Sequence, residues 1–212
     1  MKHAELRGRL VETARAMHDR GLSQGTSGNL SARVPEGMLI TPSAVPYDAM
    51  APGDIVLVDL HGRALEPAPG APSTEWRLHA AVLAARPDVD AVFHAHPMFA
   101  TTLACLRRPI PAFHYMVAVA GGDSIPCAPY APFGSAELAD HAATALADRN
   151  ACLLANHGMV AVGPSPRAAL DLALEVEMLA AQYWRTLQVG EPALLSAADM
   201  DEVLERFRGY GR

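Results

Sequence analysis

Three histidines are the residues of this chain best suited to metal chemistry, because each lies at the end of a short apolar segment. His94 and His96 are separated by one alanine, and His157 lies between an apolar segment at 151–156 and Gly158. Side chains two positions apart on a β-strand point to the same face, so His94 and His96 can converge on one point. Three neutral imidazoles can bind zinc and leave a coordination position for a carboxylate, water or substrate. A His-x-His pair alone is a weak signal, since two hydrogen-bonded histidines at a strand end give the same pattern.

A further candidate ligand, Glu75, lies at the predicted start of a helix, directly after Ser73 and Thr74. The amide groups of a helix N-terminus, together with two hydroxyl groups, can bind a phosphate. The same residues also suit a purely structural role. Ser and Thr cap helices, and an isolated Glu in a first turn most often stabilises the helix dipole. The sequence leaves both roles open for this segment.

Two other features each have a functional and a structural interpretation. The small-residue segment 25–29 can form a nest of backbone amides for phosphate oxygens, or a plain polar turn. Tyr115 can exchange a proton with a substrate oxygen if it lies beside a metal ion. A lone tyrosine, however, more often belongs to a core or an interface. Neither feature decides the function by itself.

The elements that must position these residues alternate between helical and extended patterns. Predicted helices cover residues 4–20, 73–86, 97–106, 114–120, 136–147, 166–189 and 197–208. Predicted strands cover residues 30–34, 38–41, 55–60, 90–96, 151–156 and 159–162. Because no repeat or linker-like segment interrupts the pattern, we expect residues 1–212 to form a single α/β domain. Its central sheet should be mixed or mostly antiparallel and covered by helices.

The composition argues against several classes of protein. The chain has 212 residues, a net charge of -6 and no basic cluster, which argues against nucleic-acid binding. Its 3 cysteines contain no Cys-x-x-Cys pair, which argues against a disulfide framework and against a cysteine zinc site. The charged N-terminal segment and the lack of long apolar runs predict a cytoplasmic protein without a membrane partner.

Several of these segments, taken together and in this order, resemble the class II aldolase/adducin family and, within it, the aldolases of L-fuculose 1-phosphate. The matching segments are 25–29, 38–42, 73–77, 94–96, 114–116, 121–130 and 156–158. The resemblance covers nearly the whole chain. It implies the class II aldolase fold and reversible cleavage of a ketose 1-phosphate to dihydroxyacetone phosphate and an aldehyde. A Schiff-base mechanism needs a buried lysine and is disfavoured, because Lys2 is the only lysine.

The resemblance also implies roles for individual residues. The implied ligands of one zinc ion per subunit are Glu75, His94, His96 and His157. Substrate would displace Glu75, which then acts as a base. Tyr115 would reach the active site of a neighbouring subunit in a homotetramer, and Tyr210 would close over the substrate in the same way. The implied substrate- and phosphate-binding residues are Thr26, Gly28, Asn29, Ser43, Ala44, Ser73 and Thr74.

The chain departs from the family pattern at several places, two of which bear on the substrate. Ala44 stands where the family usually has glycine, which can shift the backbone amide that points to the phosphate. Pro97, Met98 and Phe99 replace more polar residues, so we expect a more apolar pocket at the aldehyde end. An aldolase for 5-deoxy- or 5-methylthio-ribulose 1-phosphate is therefore the strongest alternative.

Other functions occur within the same family. Its ribulose-phosphate epimerases usually carry aspartate at the position of Glu75, so the glutamate favours an aldolase. A dehydratase of methylthioribulose 1-phosphate uses similar ligands and a carboxylate base. Adducin-like members are structural proteins without the metal ligands, and the presence of all the implied ligands here argues against that role.

Overall fold

A seven-stranded sheet forms the centre of the structure, a computed structural model that describes residues 1–209. The strands are β1 (Asn29–Val34), β2 (Gly37–Ile40), β3 (Val56–Val58), β4 (Ala91–Ala95), β5 (Cys127–Ala128), β6 (Ala151–Leu154) and β7 (Gly158–Gly163). Their order across the sheet is β3-β2-β1-β4-β7-β6-β5. β5 and β6 pair in parallel, and the other neighbouring strands pair antiparallel. The predicted α/β fold with a mixed, mostly antiparallel sheet is confirmed.

Helices cover both faces of this sheet. They are α1 (Ala4–Asp19), α2 (Trp76–Ala85), α3 (Met98–Cys105), α4 (Ala136–Ala145), α5 (Pro166–Val189) and α6 (Ala197–Gly209), with a short 3-10 helix at Tyr115–Ala120. One apolar core includes residues of α1, α3 and α5, and a second includes residues of α2 and α4. Within residues 1–209, no helix has both the length and the apolar character that crossing a membrane requires.

The pleat of β4 determines which side of the sheet carries the chemistry. Ala91, Phe93 and Ala95 belong to the core beneath α1, α3 and α5. Val92 belongs to the core beneath α2 and α4. Successive side chains of a strand alternate between the faces, so His94 points to the same side as Val92, towards α2.

Two local predictions are corrected. α2 begins at Trp76 rather than at the predicted start, because Glu75 occupies the N-cap position. Ser73 is not the N-cap but belongs to the turn that leads into α2. Its Oγ accepts a hydrogen bond from the Glu75 backbone N–H at 3.3 Å. The segment predicted as a helix at 114–120 forms the 3-10 helix Tyr115–Ala120.

Candidate active site

Side chains from three separate segments converge on the α2 side of the sheet. The ligand atoms that lie within 4.8 Å of one another belong to Glu75, His94, His96 and His157. His94 Nε2 lies 3.0 Å from Glu75 Oε2 and 3.0 Å from His96 Nε2. His157 Nε2 lies 3.4 Å from Glu75 Oε1. The structure therefore places together the whole set of ligands that the resemblance implied.

The register of the sheet explains why the histidines meet. His94 lies within β4 and His96 directly follows it, while His157 directly precedes β7. β4 and β7 pair antiparallel, with Ala95 opposite Met159. The start of β7 consequently lies beside the end of β4, and the histidines at these two positions become neighbours.

Gly158 permits this close approach. A Cβ at residue 158 would lie 2.5 Å from the carbonyl oxygen of Ala95 and 2.6 Å from Cδ2 of His96. Both contacts are too short for a side chain, so glycine is needed where β7 passes the end of β4.

The hydrogen bonds around the cluster leave acceptor atoms at its centre. His94 Nδ1 lies 2.9 Å from the carbonyl oxygen of Met159, so this nitrogen carries the hydrogen and Nε2 is turned to the other ligands. Glu75 is 5% exposed, and its Oε1 has no hydrogen-bond donor among the described residues. A buried acceptor without a donor is destabilising unless a cation satisfies it. One carboxylate and three imidazoles arranged in this way could bind a metal ion.

The charges in the cluster favour a cation at the same point. Burial alone would raise the pKa of the Glu75 carboxyl, but His94 and the Asn29 amide together lower that pKa well below its usual range. Burial lowers the pKa of His96 and the pKa of His157 to about 4, so both imidazoles are neutral at pH 7. Neutral imidazole and ionised carboxylate are the forms that bind metal ions.

A cavity of about 360 Å³ opens beside the cluster, which is enough space for a small-molecule ligand. Glu75, His96 and His157 lie in its wall. The other predicted site residues in the wall are Thr26, Gly28, Asn29, Ser43, Ala44, Ser73 and Thr74. Hydroxyl and amide groups from the loop before β1, the loop after β2 and the turn before α2 thus border one space.

Backbone hydrogen bonds hold two of these segments together. The Ser43 N–H donates to the carbonyl oxygen of Ala71 at 2.9 Å, and the Ser73 N–H donates to that of Thr41 at 3.0 Å. Ala44, which directly follows Ser43, has a φ of 60°, in the left-handed region that favours glycine. The loop therefore keeps a backbone conformation that suits the glycine usual in the family, although residue 44 carries a methyl group.

Tyr115, one of the two tyrosines implied by the resemblance, does not line this cavity within one chain. Tyr115 is 51% exposed and lines a different surface cavity with Met116 and Val203. Tyr210 lies outside the described residues.

Residues 97–99, predicted to make the aldehyde end more apolar, are not among the residues that line this cavity within one chain. The ring of Phe99 packs against Trp184 of α5, with the ring centroids 5.7 Å apart. The guanidinium carbon of Arg185 lies 4.8 Å from the centroid of the same ring. Met98 is 73% exposed on the outer side of α3.

Aromatic residues that the sequence did not single out line the cavity instead. Tyr130 and Phe133 lie in its wall beside Ala131, and they are 52% and 71% exposed. The available signal was weak: both aromatic residues follow prolines in an irregular segment before α4. Large apolar rings that are exposed beside a cavity are characteristic of ligand or partner contacts.

Comparisons with known proteins agree with this geometry. Residues 8–184 match the sequence profile described as the class II aldolase and adducin N-terminal domain. A 5-methylthioribulose-1-phosphate/5-deoxyribulose-1-phosphate aldolase of Rhodospirillum rubrum is 54% identical over 206 residues, which cover 97% of this chain and 92% of that protein. An L-fuculose phosphate aldolase of Escherichia coli strain K12 is 46% identical over 212 residues, which cover 100% of this chain and 98% of that protein. A solved structure described as L-fuculose 1-phosphate aldolase superposes with a TM-score of 0.94 at 38% identity, covering 98% of each chain.

Proposed function

Since this chain belongs to the class II aldolase and adducin family and is a metal-dependent aldolase, we propose that it cleaves a ketose 1-phosphate reversibly. The products are dihydroxyacetone phosphate and a short aldehyde, and the metal is one zinc ion per subunit. The observation that carries the proposal is the position of Glu75, which belongs both to the metal-binding group and to the cavity wall. A carboxylate that is both a metal ligand and part of the cavity wall can leave the metal when substrate enters, and it can then act on that substrate.

The polar wall of the cavity is the proposed phosphate site. Ser43, Ser73 and Thr74 offer hydroxyl groups, and Asn29 offers its amide. The loop backbone at Thr26, Gly28 and Ala44 borders the same space. Hydroxyl groups and oriented backbone amides bind phosphate without a cationic side chain.

Glu75 is the proposed base. When bound, zinc supplies Lewis-acid stabilisation of the negative charge that develops on the substrate oxygens as the C3–C4 bond breaks. Once substrate is bound, Glu75 would take up a proton from solvent and give it to the carbon that has lost the aldehyde, and in the direction of synthesis it would remove that proton. Its proposed partners in holding the zinc are His94, His96 and His157.

Tyr115 is the proposed group that accepts the proton of the C4 hydroxyl during cleavage and passes its own hydroxyl proton to solvent. Because it is exposed and lies outside the cavity of its own chain, we propose that it acts in the site of a neighbouring subunit. The assembly is then a homotetramer with active sites at subunit interfaces, and Tyr210 covers the substrate from the neighbouring chain.

We expect residues 1–212 to form one domain that acts in the cytoplasm on a small sugar phosphate, without nucleic acid or membrane.

Two kinds of sugar are candidates. L-fuculose 1-phosphate is the first, supported by the sequence resemblance and by the relative of Escherichia coli K12. A 5-deoxy- or 5-methylthio-ribulose 1-phosphate is the second, favoured by Phe133 in the cavity wall. A phenyl ring can cover a methyl or methylthio group, and it offers no hydrogen bond to a hydroxyl group.

A substrate panel tests the proposal. The zinc-loaded protein is incubated separately with the 1-phosphates of fuculose, rhamnulose, 5-deoxyribulose and 5-methylthioribulose, and released dihydroxyacetone phosphate is measured. We expect release from at least one ketose, and none from the His96→Ala variant. The proposal is wrong if no ketose releases this product, or if an epimer or a dehydrated sugar forms instead.

A further inference from the structure

A buried histidine outside the metal-binding group is joined to it by hydrogen bonds. His79 is 0% exposed and lies in α2, one helical turn after Glu75. Its Nδ1 lies 2.7 Å from Ser31 Oγ, and its Nε2 lies 2.6 Å from Asn29 Oδ1. Asn29 Nδ2 in turn donates to Glu75 Oε2 at 3.1 Å. Ser31, His79, Asn29 and Glu75 therefore form one continuous hydrogen-bonded chain, which we call the β1–α2 chain.

The spacing of these residues makes the β1–α2 chain possible. Asn29 and Ser31 are two positions apart on β1 and share a face of the sheet. Glu75 and His79 are four positions apart at the start of α2 and share a face of the helix. The chain thus joins the N-terminus of α2 to the strand that lies next to β4.

Only one placement of the hydrogens satisfies every hydrogen bond of the β1–α2 chain. Because ionised Glu75 only accepts, Asn29 must turn its NH2 to the carboxylate and its oxygen to His79. That oxygen also only accepts, so Nε2 of His79 carries the ring hydrogen. Burial lowers the pKa of His79 to about 3, so the ring is neutral. Its Nδ1 therefore accepts from the hydroxyl group of Ser31.

We propose that His79 is a positioning residue for Glu75: its Nε2–H holds the Asn29 amide in the one orientation that donates to the carboxylate. Asn29 Nδ2 also makes a long contact of 3.5 Å with the carbonyl oxygen of Ser27, which favours the same orientation. Without the His79 N–H, however, the amide oxygen loses its donor, and a rotated amide would present that oxygen to Glu75 and replace an attraction with a repulsion between two acceptors. Asn29 also lies in the wall of the proposed phosphate site, so the same contact aligns the carboxylate with the bound substrate. This inference rests on the proposed function, since it takes Glu75 as the group that exchanges a proton with substrate.

A buried histidine that serves stability alone would make the same contacts, so the test must separate the two roles. His79→Gln keeps a side-chain NH2 that can donate to Asn29. His79→Phe keeps a planar ring and removes both hydrogen bonds. Val82→Ala, in the apolar core beneath the same helix, loosens α2 without touching the β1–α2 chain.

The three variants are compared as zinc-loaded enzymes with the best ketose 1-phosphate from the panel. We expect His79→Phe to lower kcat about 10- to 100-fold with a smaller change in KM, because an oriented hydrogen bond to a charged group is lost. His79→Gln should stay within about 3-fold of the wild-type kcat, and Val82→Ala should lose stability but keep its kcat. Equal kcat values for the Phe and Gln variants would overturn the proposal.

A second measurement does not depend on activity or on the folding of a variant. Nitrogen-15 NMR of the histidine rings in the zinc-free wild-type protein reports which nitrogen of His79 carries the hydrogen. We expect Nε2–H as the single tautomer, and an Nδ1–H tautomer or a mixture would refute the β1–α2 chain. If the wild-type protein cleaves no ketose phosphate, the proposed function fails, whereas the NMR result still decides for or against the chain.

Discussion

Two carboxylates, the buried Glu75 and the partly buried Glu177, have different partners for their oxygens. Glu177 of α5 accepts backbone N–H groups with both oxygens, from Phe99 at 2.9 Å and from Ala100 at 2.8 Å. Glu75 stands at the N-cap of α2 without a side-chain hydrogen bond to that helix. Its Oε2 contacts His94 and Asn29, whereas its Oε1 has no hydrogen-bond donor among the described residues.

The difference separates a structural carboxylate from a reactive one. The first turn of any helix has amide groups without partners, and Glu177 satisfies two of those in α3. Burial raises the pKa of Glu177, while His94 and Asn29 lower that of Glu75 despite its burial. A carboxylate with both oxygens bonded to backbone stabilises the fold. One with an unsatisfied oxygen beside three imidazoles is available for a metal ion and for proton transfer.

The largest expected effect concerns the metal ion, because the unsatisfied oxygen of Glu75 needs a cation beside it and the oxygens of Glu177 do not. We expect His96→Ala to lose stoichiometric zinc and to slow cleavage at least about 1,000-fold, since Lewis-acid stabilisation contributes several kcal/mol. Elemental analysis and the release of dihydroxyacetone phosphate measure the two effects. His61→Ala, at an exposed turn, is the matched control and should keep both. Full zinc content in His96→Ala would remove this histidine from the set of ligands.

Proton exchange should separate the two glutamates next. In Glu75→Gln, zinc should remain while exchange of the hydroxymethyl proton of dihydroxyacetone phosphate with solvent slows about 100- to 10,000-fold, because the base is lost. Glu177→Gln should stay within about 10-fold of wild type, since that carboxylate acts through the position of α3. Deuterium incorporation followed by NMR measures both rates. Equal losses in the two variants would contradict the assignment of Glu75 as the base.

The sequence was sufficient for the parts of the site that depend on local spacing. The interval between His94 and His96, and the glycine after His157, indicate ligands at strand ends, and the register of β4 and β7 then brings them together. The long helix predicted at 166–189 is α5, Pro166–Val189. Long periodic segments and short fixed intervals predict the structure well, because they depend mainly on local geometry.

Other parts of the site depend on contacts between distant segments and were not predictable. Phe99 is directed to Trp184 because α3 packs on α5, and no local pattern indicates that direction. Phe133 belongs to an irregular segment whose path depends on tertiary contacts. The four-residue interval between Glu75 and His79 was visible, but its meaning required Asn29 and Ser31 on the neighbouring strand.

Glu177 should matter more than Glu75 for the free energy of unfolding, although it matters less for proton exchange. In Glu177→Gln, the amide oxygen can satisfy one backbone N–H of α3, and the NH2 group then faces the other. We expect the free energy of unfolding to fall by about 1–3 kcal/mol, the cost of an unsatisfied buried donor. Glu175→Gln, on another face of the same helix, is the control and should change it by less than about 0.5 kcal/mol.

Glu75→Gln should destabilise the zinc-free protein less than Glu177→Gln. A glutamine at position 75 can accept from Asn29 and can donate to His157, whose Nε2 lies 3.4 Å from the present Oε1. Denaturant unfolding of the zinc-free variants measures the difference. A larger loss for Glu75→Gln would mean that Glu75 also stabilises the fold, and the separation of roles would fail.

The smallest expected effect concerns the proposed phosphate side of the cavity. There the unusual feature is a strained backbone conformation rather than a buried charged group. Ala44 has a φ of 60°, a conformation that is unfavourable for any residue with a Cβ. We expect Ala44→Gly to raise the free energy of unfolding by about 1 kcal/mol and the melting temperature by about 2–4 °C. Ala49→Gly, at a position whose φ is not positive, should lower both slightly, because glycine only adds freedom to the unfolded chain there. If Ala44→Gly were destabilising as well, the methyl group of Ala44 would contribute packing that exceeds its backbone strain, and the loop would belong with Glu177 among the structural features of the site.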